Sequence, residues 1–113
     1  SPYFARRTYW SIGATLDTIF PETISYNITI PAFGIWGYHM AFNEPGGELE
    51  YLPSGLAMMS PAVFEAAQVF ACDIDRPAQG VRSNSIFDPT LYEAYTKDLG
   101  SSPADNLGDC RAA

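Results

Sequence analysis

The chain has 113 residues, 47% of them hydrophobic and 14% aromatic, and six Lys and Arg stand against thirteen Asp and Glu for a net charge of −7. That composition suits one small folded domain with a modest core and excludes a disordered chain. The acidic surplus excludes attraction to phosphate backbones, so no nucleic-acid partner is expected, whereas cationic ligands such as amines are electrostatically favoured.

Residues 5–20 carry Tyr9, Ile12, Leu16, Ile19 and Phe20 at helical spacing, which predicts an amphipathic helix stopped by Pro21. Ile24, Tyr26, Ile28 and Ile30 then alternate with Ser25, Asn27 and Thr29, the period of a half-buried strand, and Pro31 ends it. From 35 to 42 the apolar residues no longer alternate cleanly, as expected of a strand covered on both faces. Asn43-Glu44-Pro45-Gly46-Gly47 reads as a turn, followed by a loop through Pro53-Ser54-Gly55. Ser60 offers an N-cap ahead of Pro61 for a short helix over 62–70. Asp88-Pro89 repeats the start signal for a helix over 90–99, closed by Gly100. Residues 1–100 are thus expected to form the folded portion and 101–113 a flexible tail.

Two strands are too few for an independent α/β sheet. A corner of about three residues forces them antiparallel, because a parallel pair needs a crossover of a dozen or more. A helix followed by such a pair resembles the terminal edge of a larger parallel sheet. The other strands are expected from residues upstream or from another copy, which makes a homo-oligomer the expected state. The first residues, SPYFARRTYW, hold neither a Met nor a signal-peptide block, and a longer parent protein is expected. No apolar run is long enough to span a membrane, so no membrane contact is expected for this segment. Cys72 and Cys110 lack CxxC spacing and nearby His partners, and both are expected as free thiols of a cytoplasmic protein.

Few residues carry chemistry. Gly46-Gly47 separates a strand from a loop and reads as a plain turn rather than a phosphate cradle. His39, the one histidine, has no nearby Ser or Cys nucleophile, and a structural role outweighs that of a base. Asp73 and Asp75 could bind a hard cation but lack a third ligand, so a solvated loop is the better reading. Glu44, Glu48 and Glu50 flank a turn and are expected in solvent. Phe33 and Trp36 sit at the strand corner. They either cap the sheet edge against the first helix or line the apolar part of a ligand pocket, and composition does not choose between the two.

Four stretches in order resemble the C-terminal half of the spermidine synthases, the polyamine aminopropyltransferases, with the closest likeness to long bacterial membrane-associated forms. They are SPYFARRTYWSIGATLD, ISYNITIPAFGIWGYHMA, GLAMMSPAVFEAAQVFACDIDR and NSIFDPTLYEAY, together covering about residues 1–99. The resemblance implies a class I methyltransferase-like, Rossmann-like α/β sheet. It also implies transfer of an aminopropyl group from decarboxylated S-adenosylmethionine, a co-substrate, to a polyamine substrate such as putrescine. Phe33 matches the corner aromatic facing the amine, here in an AFG corner without the tyrosine hydroxyl found in short forms. Trp36 follows in the second strand, and Pro31 holds the end of the first. The family's Gly-rich nucleoside loop, ribose-binding acid and catalytic Asp match no residue here, so the implied chain is a fragment with no catalytic residue or cofactor site of its own. Two alternatives stand beside it: a free-standing interaction or oligomerisation module, and the tail of an S-adenosylmethionine-dependent methyltransferase. The helix after NSIFDP favours the polyamine group over the latter.

Overall fold

The computed structural model describes residues 1–49 and 51–111. Helix α1 (Arg6–Asp17) leads into strands β1 (Glu22–Ile30) and β2 (Gly34–Phe42), followed by helices α2 (Pro61–Ala67) and α3 (Thr90–Leu99). A 3-10 turn (Pro103–Asn106) and a five-residue helix α4 (Leu107–Arg111) complete the α/β chain. The strands pair antiparallel from Glu22↔Phe42 to Ile30↔Gly34, so the corner is Pro31, Ala32 and Phe33. The Phe33 amide donates to the Ile30 carbonyl at 3.0 Å across that corner. Pro31 fits its first central position, and Ala32, at φ 69°, occupies a left-handed site usually given to glycine.

α1 packs on the face of the hairpin that carries Ser25, Gly37 and His39. A Cβ on Gly13 would come within 2.8 Å of His39, and one on Gly37 within 2.4 Å of Tyr9, so these glycines set how closely helix and sheet approach. This close seat changes the buried stripe of α1. Arg6, Tyr9, Trp10, Gly13 and Ala14 turn inward, whereas Ile12 and Ile19 of the expected stripe are exposed. The helix also ends at Asp17 rather than at Pro21; the Thr18 hydroxyl donates to the Thr15 carbonyl and the last amides close back on Leu16.

The core is small: the buried hydrophobic side chains among the described residues are Tyr9, Trp10 and Ala14 of α1 together with Ala67, Ile74 and Ala94. The segment from Ala71 to Asp75 is irregular, and α1 pins it. Arg6 donates to the carbonyls of Cys72 (3.0 Å) and Asp75 (2.6 Å), and the Trp10 indole donates to the Ile74 carbonyl at 2.9 Å. Such carbonyls, half-buried outside a ladder, need donors.

Helix ends are satisfied across long sequence distances. Ala5 cannot cap α1 with its side chain; Asp98, from the last turn of α3, accepts from the amides of Arg7 (3.3 Å) and Thr8 (2.8 Å) and from the Thr8 hydroxyl (2.7 Å). At α2, Ser60 and Pro61 start the helix as expected, but it stops at Ala67, where Asn27 of β1 donates to the carbonyls of Ala67 and Val69. α3 has the expected bounds. Asn84 accepts from the Leu91 amide at 3.0 Å, and Gly100 closes the helix without a left-handed turn, at φ −88°.

Two expectations are corrected. β2 is not covered on both faces: Trp36 is 47% exposed, and alternate positions of its first half face solvent. Its mixed apolar pattern reflects small residues, Gly37 and Ala41, placed where α1 or a neighbour comes close. The cysteines are not free thiols; Cys72 and Cys110 form a disulfide with Cα atoms 5.5 Å apart. The fold brings together thiols 38 residues apart, which no local spacing could announce. Residues 101–111, expected as part of a flexible tail, form the 3-10 turn and α4, with a capping box at Ser102; residues 112 and 113 lie outside the described residues.

Candidate functional site

Side chains alternate across a strand, so the hairpin face away from α1 carries Ile24, Tyr26 and Ile28 opposite Met40, Tyr38 and Trp36. Two adjoining apolar pockets lie on this side. One is a groove of about 600 Å³ between β1, from Asn27 to Pro31, and the Met58, Met59 and Val63 side chains at the start of α2. The other, of about 280 Å³, is aromatic: Tyr26 and Tyr38 stack with centroids 5.1 Å apart, Phe64 meets Tyr26 edge-on at 5.3 Å, and Tyr51 forms the far wall. Ile28 and Met59 line both. Burial raises the Tyr26 phenol above its ordinary pKa, and the neighbouring Tyr38 adds to the shift. The Tyr26 ring therefore stays neutral at physiological pH.

Of the three residues expected at the site, only Pro31 lines the groove, at its end. Phe33 stands at the corner 71% exposed, and Trp36 sits opposite Ile28, on the face away from α1. Among the described residues neither pocket is lined by a carboxylate. Glu44 and Glu48 belong to the turn at the far end of the hairpin, roughly 30 Å from the corner for nine-residue strands; Glu50 lies outside the described residues. Both pockets are walled chiefly by apolar and aromatic side chains.

His39 and the Tyr9 phenol both have structural partners. His39 stacks on Tyr9 with centroids 4.2 Å apart; its Nε2 lies 2.8 Å from the Tyr9 carbonyl and its Nδ1 2.8 Å from the Ser25 hydroxyl. A carbonyl only accepts, so Nε2 carries the proton and Nδ1 accepts from Ser25. Burial lowers the His39 pKa, outweighing the Tyr9 carbonyl and Asp17, which favour the cation. A neutral imidazole with both nitrogens engaged is a packing element. The Tyr9 phenol donates to the Tyr38 carbonyl at 2.8 Å and is pushed up to about 12, chiefly by burial. Among the described residues no three His, Cys, Asp or Glu side chains are placed to hold a metal ion.

Sequence reasoning missed Asp98, Asn84 and Asn27 as organising residues. The weak cap at Ala5 is the one local sign that α1 needs a cap from elsewhere. The NSIFDP stretch, which contributed to the family resemblance, has a structural reading: Asn84 caps α3, the Ser85 hydroxyl accepts from the Asp88 amide, and Arg82 pairs with Asp88 at 2.6 Å.

Comparison with known proteins places these features in a family. The chain is 39% identical over 105 residues to polyamine aminopropyltransferase 1 of Streptomyces coelicolor, a match covering 87% of this chain and 18% of that protein. It is 30% identical over 100 residues to the polyamine aminopropyltransferase of Oceanobacillus iheyensis and 29% identical over 98 residues to that of Leptospira interrogans. These matches cover 86% and 87% of this chain and 20% and 19% of the relatives. No family model matches the chain, and no solved structure matches it. The chain belongs to the polyamine aminopropyltransferase family. It spans about a fifth of the length of the curated relatives it matches.

Proposed function

We propose that this chain is the acceptor-side edge of a cytoplasmic aminopropyltransferase, corresponding to the C-terminal part of the catalytic domain. In that reading α1, β1 and β2 are the terminal unit of a Rossmann-like sheet whose other strands are supplied from outside these residues. The whole enzyme moves an aminopropyl group from decarboxylated S-adenosylmethionine to putrescine. An amine nitrogen attacks the carbon beside the sulfonium in line; the C–N bond forms as the C–S bond breaks, the sulfur leaves as a neutral thioether, and a base takes the ammonium proton. Phe33 and Trp36, exposed at the corner, suit the methylene chain and cationic ends of a diamine. Pro31 fixes the strand end from which the corner departs. The carboxylates and the base come from outside this chain.

The observation that carries the reading is a 39% identity sustained over 105 residues while covering 18% of the relative. The pocket walls, which hold no acid among the described residues, support it, since an apolar half-site cannot deprotonate an amine. The purified 113-residue chain, incubated with decarboxylated S-adenosylmethionine and putrescine, is expected to form no spermidine above the enzyme-free background. Turnover by this chain alone would overturn the division of the site.

A further inference from the structure

Basic residues are scarce in this chain, yet three of the six gather at one place. Arg7 of α1, Arg82 of the loop before α3, and Lys97 of α3 line a cleft of about 100 Å³ between the two helices, with the buried Ser11 and Thr90 among its walls. Among the described residues the walls carry one carboxylate, Glu93. The lining charge is therefore +2, three cations less one anion, on a chain whose net charge is −7. Each cation has an acidic neighbour: Arg82 lies 2.6 Å from Asp88, Lys97 2.8 Å from Glu93, and Arg7 3.6 Å from Asp98. Asp98 is turned to the amides of Arg7 and Thr8 at the start of α1. Lys97, by hydrogen bond and by charge, holds the Glu93 carboxyl below its ordinary pKa, and the Arg82 charge adds to this from the loop.

We propose that this cleft binds one tetrahedral oxyanion of the phosphate or sulfate kind, held by Arg7, Arg82 and Lys97. The size of the cleft sets the class. About 100 Å³ is the share of about three water molecules at roughly 30 Å³ each, room for a single oxyanion and too little for a nucleotide. Ion pairs in solvent are weak, and the Arg82 and Lys97 side chains are both 60% exposed, so each can turn from a lone carboxylate to a dianion at small cost. A guanidinium also carries five donors in a fixed fork, and an arginine held on one edge keeps donors for a second acceptor. The three cations come from α1, α3 and the loop before α3, so one bound ion ties three segments together and stabilises the fold by mass action. None of the cleft walls belongs to either apolar pocket, so the site stands whether or not the chain serves aminopropyl transfer.

Amide NMR signals of the full 113-residue chain, titrated with sodium phosphate and, at matched ionic strength, with sodium chloride, test the site. Phosphate is expected to move the signals of Arg7, Arg82, Thr90 and Lys97 saturably, with half-saturation at or below about 1 mM, where chloride moves them little. Sulfate is expected to compete with phosphate for the same signals. Arg82→Gln combined with Lys97→Gln should weaken phosphate binding about tenfold or more. Glu93→Gln, which removes the carboxylate from the wall, should tighten it. All three side chains are exposed, and the dispersion of the remaining signals reports that each variant is folded. Equal shifts in chloride, shifts that do not saturate, or unchanged phosphate affinity in the folded double variant would overturn the proposal.

Discussion

Tyr9 and His39 form one stacked unit between helix and hairpin, and their ionisation bounds the pH range over which that contact holds. The folded-state pKa of His39 is lowered by burial. The unfolded chain therefore takes up a proton first as pH falls below about 6.5, and stability declines from there until the folded imidazole also titrates. The slope is no steeper than about 1.4 kcal/mol per pH unit for one group. Tyr9 works in the opposite sense: its phenol is raised to about 12, so its contribution is intact below pH 10 and is lost between about 10 and 12. Urea unfolding across pH 4–8 is expected to show a decline beginning near pH 6.5 that His39→Gln removes. An identical acid limb in the variant would place the titrating group elsewhere. His39 was legible as a structural residue because no nucleophile stands near it in sequence. Its partners were not, since Ser25 and the Tyr9 carbonyl reach it only through the fold.

α1 and α2 borrow caps from remote elements, and α3 takes one from the segment just before it. Asp98 serves α1 from about 90 residues away, Asn27 closes α2, and Asn84 opens α3. The Asp98 carboxylate is almost wholly buried, with Arg7 3.6 Å away and the amides of Arg7 and Thr8 pointing at it. Anions are favoured at a helix N-terminus, and its loss would leave those donors unsatisfied. Asp98→Ala is therefore expected to cost about 1–3 kcal/mol in chemical denaturation; a change within about 0.5 kcal/mol, the range of ordinary surface substitutions, would contradict this role. The elements legible in the sequence are those with local signals. Alternation and Pro31 define β1 and Ser60-Pro61 starts α2, whereas α3 begins at Thr90 as expected but with Pro89 at its N-cap and Asn84, not Asp88, capping it. The buried stripe of α1 was misread because Gly13 and Ala14, small rather than apolar, face the sheet. The disulfide gave no signal, because 38 residues separate its cysteines.

At the scale of the whole molecule the body is loose for its length. Its radius of gyration is 15.1 Å, where a compact chain of 113 residues comes to about 13 Å. Six buried hydrophobic residues form the core among the described residues, while Phe33, Trp36, Met58, Ile86 and Phe87 stand in solvent. Of these, Trp36 lies in the sheet and Phe33 at its corner, while the others stand in loops; exposed apolar patches of this kind mark interaction surfaces. This agrees with a chain that spans about a fifth of its relatives. The aromatic corner was legible in the sequence, but Phe33 and Trp36 do not line the apolar groove. That groove depends on Met58 and Met59 meeting β1, a contact across nearly 30 residues of sequence. The central claim is that these residues are an incomplete body that needs further strands, and the mass of the isolated chain in solution tests it most directly. Light scattering at micromolar concentration is expected to give a mass of at least two 12.4 kDa chains. A folded, stable monomer of 12.4 kDa would contradict the claim.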